Sequence, residues 1–252
     1  TQTLEQLSVL VLHNAQVILQ KARAFLKAFY LVFQSQVGLP LLLVALMAGF
    51  AFWVAGIAPV GMELPTHWNA AGEVDQTMAP LPALLMPAGV SLFVALVFAV
   101  TPMLEPLQDK LDKSAPLLRA VWIGMMALFV ALQGIIAAPV FGYSPGAGAI
   151  MLLVGLLFVV IGNTLPKSRP GFFVGIRTPW TITDEDNWVA THRLGGKLFM
   201  LAGVALVIAA LLDVSAGLRL AVMLGGTLLA ALVPAIYSWW FWRSHRPTGK
   251  EA

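Results

Sequence analysis

The chain contains no cysteine. That excludes a disulfide framework and any thiolate metal site. Charge is nearly as scarce. Asp, Glu, Lys and Arg make up 11% of the residues, under half of the roughly 25% usual in a soluble domain. So few charges cannot cover the surface of a soluble fold. Catalytic signatures are missing too: there is no P-loop, no Gly-x-Ser-x-Gly and no HExxH, and no set of side chains reads as an assembled catalytic site. No cofactor or metal is expected. The net charge of +3 is small, and no nucleic-acid partner is expected. The first residues lack the basic start, short apolar core and small-residue cleavage site of a secretory signal.

What the chain has instead is apolar length. Hydrophobic residues account for 59%, and mean hydropathy is +0.85. Six apolar runs stand out, at 38–59, 81–104, 117–140, 147–164, 198–214 and 218–242. Each has the roughly 17–25 residues that a helix needs to cross a bilayer. The expected fold class is therefore all-α, a polytopic bundle of six transmembrane helices. Within these runs the only charged residues lie near the ends: Arg119, Asp213 and Arg219. Deep charge marks ion paths and proton relays, so its absence argues against an ion-coupled pump. Gln133 and Asn163 are the main strongly polar side chains in the runs, and such residues commonly hold helices together.

Before the first run, residues 1–36 alternate at helical spacing. Leu4, Leu7, Val11, Ala15, Ile18, Ala22, Phe25, Phe29 and Phe33 share one face, with Gln, Glu, His, Lys and Arg opposite. This predicts an amphipathic helix lying in the membrane interface, or one packed on a partner subunit or on the protein's own cytoplasmic side. Residues 37–115 are read as the first two spans with the loop between them, and 116–252 as a four-span region.

Orientation follows from the bases. If the N-terminus, 105–116, 165–197 and 243–252 share one side, that side and its boundary residue Arg119 hold 14 of the 15 Lys and Arg, all but Arg219. The asymmetry predicts that this side is cytoplasmic, with both termini inside. Trp239, Trp240 and Trp242, just before Arg243, read as an interfacial anchor.

Two segments are polar out of proportion to the rest. "GFFVGIRTPWTITDEDNWVATHRLGGK", residues 171–197, holds three acids, three bases, a histidine, a proline and two tryptophans. Pro179 biases Thr178 away from helix. Thr183 followed by Asp186 reads as a capping box opening a helix near Asp184, which would run on into the fifth span. On it Trp188, His192 and Gly195 or Gly196 share a face. Arg177 should anchor the preceding turn, on the acids at 184–186 or on carbonyls ending the fourth span. The segment is either an ordered connector, with Trp180 and Trp188 at headgroup level, or a recognition surface for a peptide, protein or anionic headgroup. The second segment, "ELPTHWNAAGEVDQT", residues 63–77, falls on the opposite side. Glu63, His67, Glu73 and Asp75 have no spacing that supports a metal site. "AAGEVD" reads as a turn, which Asn69 and Gly72 permit.

Together the segments carry a resemblance. "IGNTLPKSRPGFFVGIRTPWTITDEDNWVATHRLGGKLF" resembles the signature of the SdpI family of bacterial membrane proteins, and "LPTHWNAAGEVDQ" resembles the short extracytoplasmic motif that often precedes it. The likeness spans roughly residues 40–242. It implies a non-enzymatic immunity protein that protects the cell from a membrane-active peptide toxin, and signalling through a cytoplasmic regulator held at the membrane. It places the signature on Arg177, Thr178, Pro179, Trp180, Trp188, Thr191, His192 and Arg193, with Gly175, Ile176 and Thr181. It places the outer motif on Leu64, Pro65, His67, Trp68, Asn69, Gly72 and Glu73. The implied partners are membrane lipids, a peptide toxin or a cytoplasmic regulator. A small-molecule or lipid transporter stays open as an alternative, as does a headgroup enzyme using His192 and nearby acids.

Overall fold

The computed structural model describes residues 38–69, 72–104, 108–212 and 214–245. The amphipathic segment 1–36, Ala70 and Ala71 of the turn, and Asp213 lie outside the described residues. Among those described, six helices are long and apolar enough to cross a membrane. They are α1 (Gly38–Ile57), α2 (Pro80–Leu104), α3 (Gln108–Ala137), α4 (Ala147–Thr164), α6 (Glu185–Leu211) and α7 (Ala216–Ser244), with a short α5 (Pro179–Thr183) before α6. This is the multi-pass helical bundle the apolar runs call for. A backbone in hydrocarbon has to satisfy its own N–H and C=O groups, and helices do so within the segment.

Consecutive helices pack as neighbours. α1 lies against α2, α2 against α3, α3 against α4, and α6 fits between α4 and α7. The α4–α6 seam is the tightest. A Cβ on Gly155 would stand 2.9 Å from the Gly203 carbonyl oxygen, and one on Gly203 would stand 2.6 Å from that of Gly155. Seven residues away, Gly162 and Gly196 repeat the reciprocal contact at 2.7 Å each way. Glycine at both levels lets the antiparallel backbones touch, which replaces the hydrophobic drive that is absent between helices in lipid.

Gln133 of α3 is buried and donates Nε2–H bonds to the carbonyls of Met47 in α1 and Leu84 in α2, each at 2.9 Å. It ties three helices together, as the sequence suggests. Asn163 does not act that way: it is exposed near the end of α4. The face of α4 that meets α6 is taken by glycines, which leaves no room there for an amide.

Among the described residues, one segment forms strands. Between α1 and α2 the chain forms an antiparallel hairpin, β1 (Leu64–Trp68) with β2 (Val74–Met78). Period-2 alternation over so short a stretch is weak beside the apolar helices around it, so only the turn was legible. Leu64 is fully buried among Ala51, Val54, Ala83, Leu84 and Ile136, with Trp68 packed against that cluster. All of β2 is exposed.

Candidate functional site

The connections segregate to two ends of the bundle. One end carries residues 165–184, a folded cap; the other carries the hairpin. Each gathers one of the two polar segments.

The cap is built from local rules. A 3₁₀ turn, Leu165–Lys167, closes α4. Gly175 then adopts φ +112°, a backbone angle open to glycine and rarely to others. Thr178 is extended ahead of Pro179, and its hydroxyl accepts from Thr181 N while Thr181 Oγ1 accepts from Thr178 N. This capping box starts α5. The cap of α6 is Asp184 and not Thr183. The Asp184 carboxylate accepts from the backbone N–H of Asp186 at 2.9 Å and of Asn187 at 3.2 Å. An anion there faces the positive helix end, while the Thr183 hydroxyl is committed to the Pro179 carbonyl at 2.8 Å. The helix start near 184 and its continuation into the fifth span are as the sequence predicts.

Along α6, Trp188, Thr191 and His192 are fully buried, and Gly195 and Gly196 share their face. His192 is held at both nitrogens. The backbone N–H of Ile176 points at Nε2 at 2.8 Å, and Nδ1 lies 2.8 Å from the Trp188 carbonyl. An N–H can only donate and a carbonyl can only accept, so Nδ1 carries the proton and Nε2 accepts. The ring is the neutral Nδ1–H tautomer. It stacks on Trp188 with centroids 4.0 Å apart. A Cβ at Gly175 would stand 2.5 Å from His192 Nε2 and 2.8 Å from the Trp188 ring. The Gly-Ile-Arg run and the Trp-x-x-Thr-His run thus interlock: the backbone of one seats on the side chains of the other.

The surrounding polar groups extend this lock to the neighbouring helices. Trp188 Nε1 donates to Ser168 Oγ at 3.2 Å, and Ser168 donates to the Leu165 carbonyl at 2.9 Å. Asn187 Nδ2 donates to the Ser238 carbonyl of α7 at 2.8 Å, and its Oδ1 accepts from Thr191 at 3.0 Å. Thr178 and Ser238 hydroxyls meet at 2.9 Å. Ser114 of α3 both receives from Arg169 N, at 2.9 Å, and donates to the Arg169 carbonyl, at 3.2 Å.

Burial divides the signature residues. Trp188, Thr191, His192 and Thr181 form the interior; Trp188 is not a headgroup-level residue. Arg177, Pro179 and Arg193 are exposed, while Thr178 and Trp180 are half-buried. Trp180 leans on Trp242, with centroids 5.7 Å apart. Arg177 donates from Nη1 to the Phe172 carbonyl at 2.6 Å, a partner within its own turn and not an acid at 184–186 or a carbonyl ending α4. The turn folds the Phe172 carbonyl, five residues back in the chain, onto the guanidinium. Arg169 approaches Glu185, at 4.0 Å.

At the other end, the turn of the hairpin is closed by Asn69. Its Oδ1 accepts from Glu73 N at 3.0 Å and its Nδ2 donates to Glu73 Oε2 at 3.2 Å. His67 and Asp75 pair at 2.6 Å on the exposed face. Beneath the hairpin lies a cavity of about 300 Å³. Its roof is Thr66, His67, Trp68 and Asn69; its walls include Leu132 of α3, Met151 of α4 and Met223 of α7, with Arg219 at the rim. Gly72, φ +89°, is the point where Arg219 tucks under the turn: a Cβ there would stand 2.6 Å from Nη1. Arg219 also donates from Nη2 to the Val214 carbonyl at 3.3 Å. Of the outer motif, His67, Trp68 and Asn69 line this cavity and Gly72 touches Arg219 at its edge, whereas Leu64, Pro65 and Glu73 do not line it. Arg219 belongs to the site without having been read as part of it. The signal was its isolation, one base of 15 on that side.

The model of the SdpI/YfhL protein family matches residues 167–238, from the start of the cap to the network on α7. The chain is also similar to "Immunity protein SdpI" of Bacillus subtilis (strain 168), 24% identical over 182 residues, which cover 72% of this chain and 84% of that protein. No solved structure matches the chain.

Proposed function

We propose that this chain, which carries the SdpI/YfhL family region over residues 167–238, is a non-enzymatic immunity protein that meets a membrane-active peptide at its hairpin end. The observation that carries the reading is the cavity under the hairpin. It joins apolar walls to a cationic rim, and three residues of the outer motif, His67, Trp68 and Asn69, line it. The count of bases supports an orientation with that end outside the cell, the side from which a secreted peptide arrives. An apolar side chain seated in the cavity next to a carboxylate on Arg219 is the contact this shape suits.

The cap supports the same division of labour. His192 has both nitrogens engaged and is fully buried, so it is poorly placed to move a proton to or from a lipid headgroup. The signature interior is a frame. Arg177, Pro179 and Arg193, exposed on that frame, are the groups that a cytoplasmic regulator would touch.

The test is protection of a sensitive host challenged with candidate membrane-active peptides. Met223→Trp fills the cavity, and Arg219→Gln removes the cation while keeping a polar side chain. With membrane levels unchanged, each should lower the protective concentration by about tenfold, the loss of one buried contact. Arg177→Ala should leave protection intact. Full protection by both cavity variants would move recognition away from the hairpin end.

A further inference from the structure

We infer that the groove between α1 and α3 is a binding site for one diacyl phospholipid of the leaflet at the cap end. This is independent of the immunity reading. The groove encloses about 680 Å³ and is lined by Leu39 and Leu43 of α1 and by Arg119, Trp122, Met126 and Val130 of α3, among others. Apolar grooves on a bundle fill with lipid tails in any case, since tails and leucine are equally apolar. Two polar groups make this one selective.

The first is Trp122. It is 6% exposed, and its indole stacks on Phe98 of α2 with centroids 5.7 Å apart. Its Nε1–H is buried and meets no acceptor among the described residues. Buried indole N–H groups nearly always find a partner, and this one lies on a residue that lines the groove. The second is Arg119 at the mouth, where the base asymmetry puts the headgroups.

Their spacing matches one molecule. Arg119 and Trp122 stand three residues apart on α3, about 4.5 Å along the axis, with Val130 about 12 Å deeper. A glycerophospholipid presents the same order: a phosphate, then ester carbonyls a short step below, then an acyl chain. The guanidinium matches the phosphate in charge and shape. The ester carbonyl is an acceptor with no donor of its own, which suits an N–H that can only donate. Leu43, Met126 and Val130 then line the chain.

Because the protein lacks cysteine, a single introduced thiol is unique. The full chain carrying Ala127→Cys, a groove residue, is labelled with a photoreactive maleimide in phosphatidylethanolamine–phosphatidylglycerol vesicles and irradiated, and its products are read by mass. Leu201→Cys, 67% exposed on α6, reports background lipid. A phospholipid adduct in excess of that background is expected. Adding Arg119→Gln should reduce the excess about tenfold, and Trp122→Phe, which keeps the stack on Phe98, about fivefold. An equal adduct with a phosphate-free glycolipid would overturn the phosphate contact. A crosslink to residues 1–37 or to a second copy would overturn the lipid as occupant. Yields unchanged in both variants would reduce the groove to ordinary lipid contact and end the proposal.

Discussion

His192 is the residue on which the cap turns. Its Nε2 takes the Ile176 N–H, so a side chain that can accept at that point should hold the turn and one that cannot should release it. His192→Gln is expected to retain the cap. His192→Leu strands a backbone N–H and should cost about 1–3 kcal/mol, seen as a lower unfolding midpoint in detergent and as protease cleavage at 171–178. Were His192 instead an acid or base, Gln would abolish function in a fully folded protein, and a protection assay separates the cases. Gly175→Ala should do more damage than His192→Gln. It combines a positive φ with a Cβ 2.5 Å from His192 Nε2, and strain at such an angle alone costs on the order of 1–3 kcal/mol. Arg177 should matter less. One exposed N–H bond to Phe172 needs no planar fork, so Arg177→Lys should fold like the parent, and Arg177→Ala should cost about 0.5–1.5 kcal/mol.

Among elements, the α4–α6 pair sets how closely the bundle can pack. Its glycines recur at 155 and 162 against 203 and 196, and a Cβ at any of them would meet backbone atoms, which cannot swing aside. Gly162→Val should separate the helices and destabilise by about 1–3 kcal/mol or more. The Gln133 bonds should be worth less. Interhelical hydrogen bonds in membranes average about 0.6 kcal/mol, so Gln133→Leu should lower the unfolding midpoint only slightly; a collapse comparable to Gly162→Val would show that the ranking is wrong. The helices themselves were legible because length and apolarity alone decide a span. The α6 start near 184 was legible from its acids, although the identity of its cap was not: Thr183 and Asp184 are both good caps, and only the geometry shows which one faces the free N–H groups. The hairpin was missed because five-residue strands carry little pattern, and the partners of Arg177 were missed because the nearest carbonyl depends on how the turn closes. Arg219 could be singled out by charge counting, yet no rule of spacing connects it to Gly72, which lies far away in the chain.

At the scale of the molecule, the two ends differ in charge and in construction. The cap end holds Arg119, Lys167, Arg169, Arg177, Arg193, Lys197 and Arg243, and the hairpin end has Arg219. Arg243 lies 5.4 Å over the Trp239 ring, and Trp239 and Trp240 are exposed, as interfacial side chains would be, while Trp242 turns inward to Trp180. If this asymmetry orients the bundle, single cysteines should report opposite sides. The sites have to be chosen by exposure. Ser168 lies in the cap but is 1% exposed and holds the Trp188 indole, so a probe there would fail for reasons of packing. Gly72 has a positive φ and touches Arg219, so a side chain there would disturb the cavity. Lys167 and Glu73 are exposed and flank the same two features. In intact cells, Glu73→Cys should react with a membrane-impermeant maleimide, and Lys167→Cys should react only after permeabilisation. The reverse pattern would invert the protein and put the cavity on the cytoplasmic side, where a peptide arriving from outside could not reach it. Labelling of both sites in intact cells would mean that one of the apolar helices does not span.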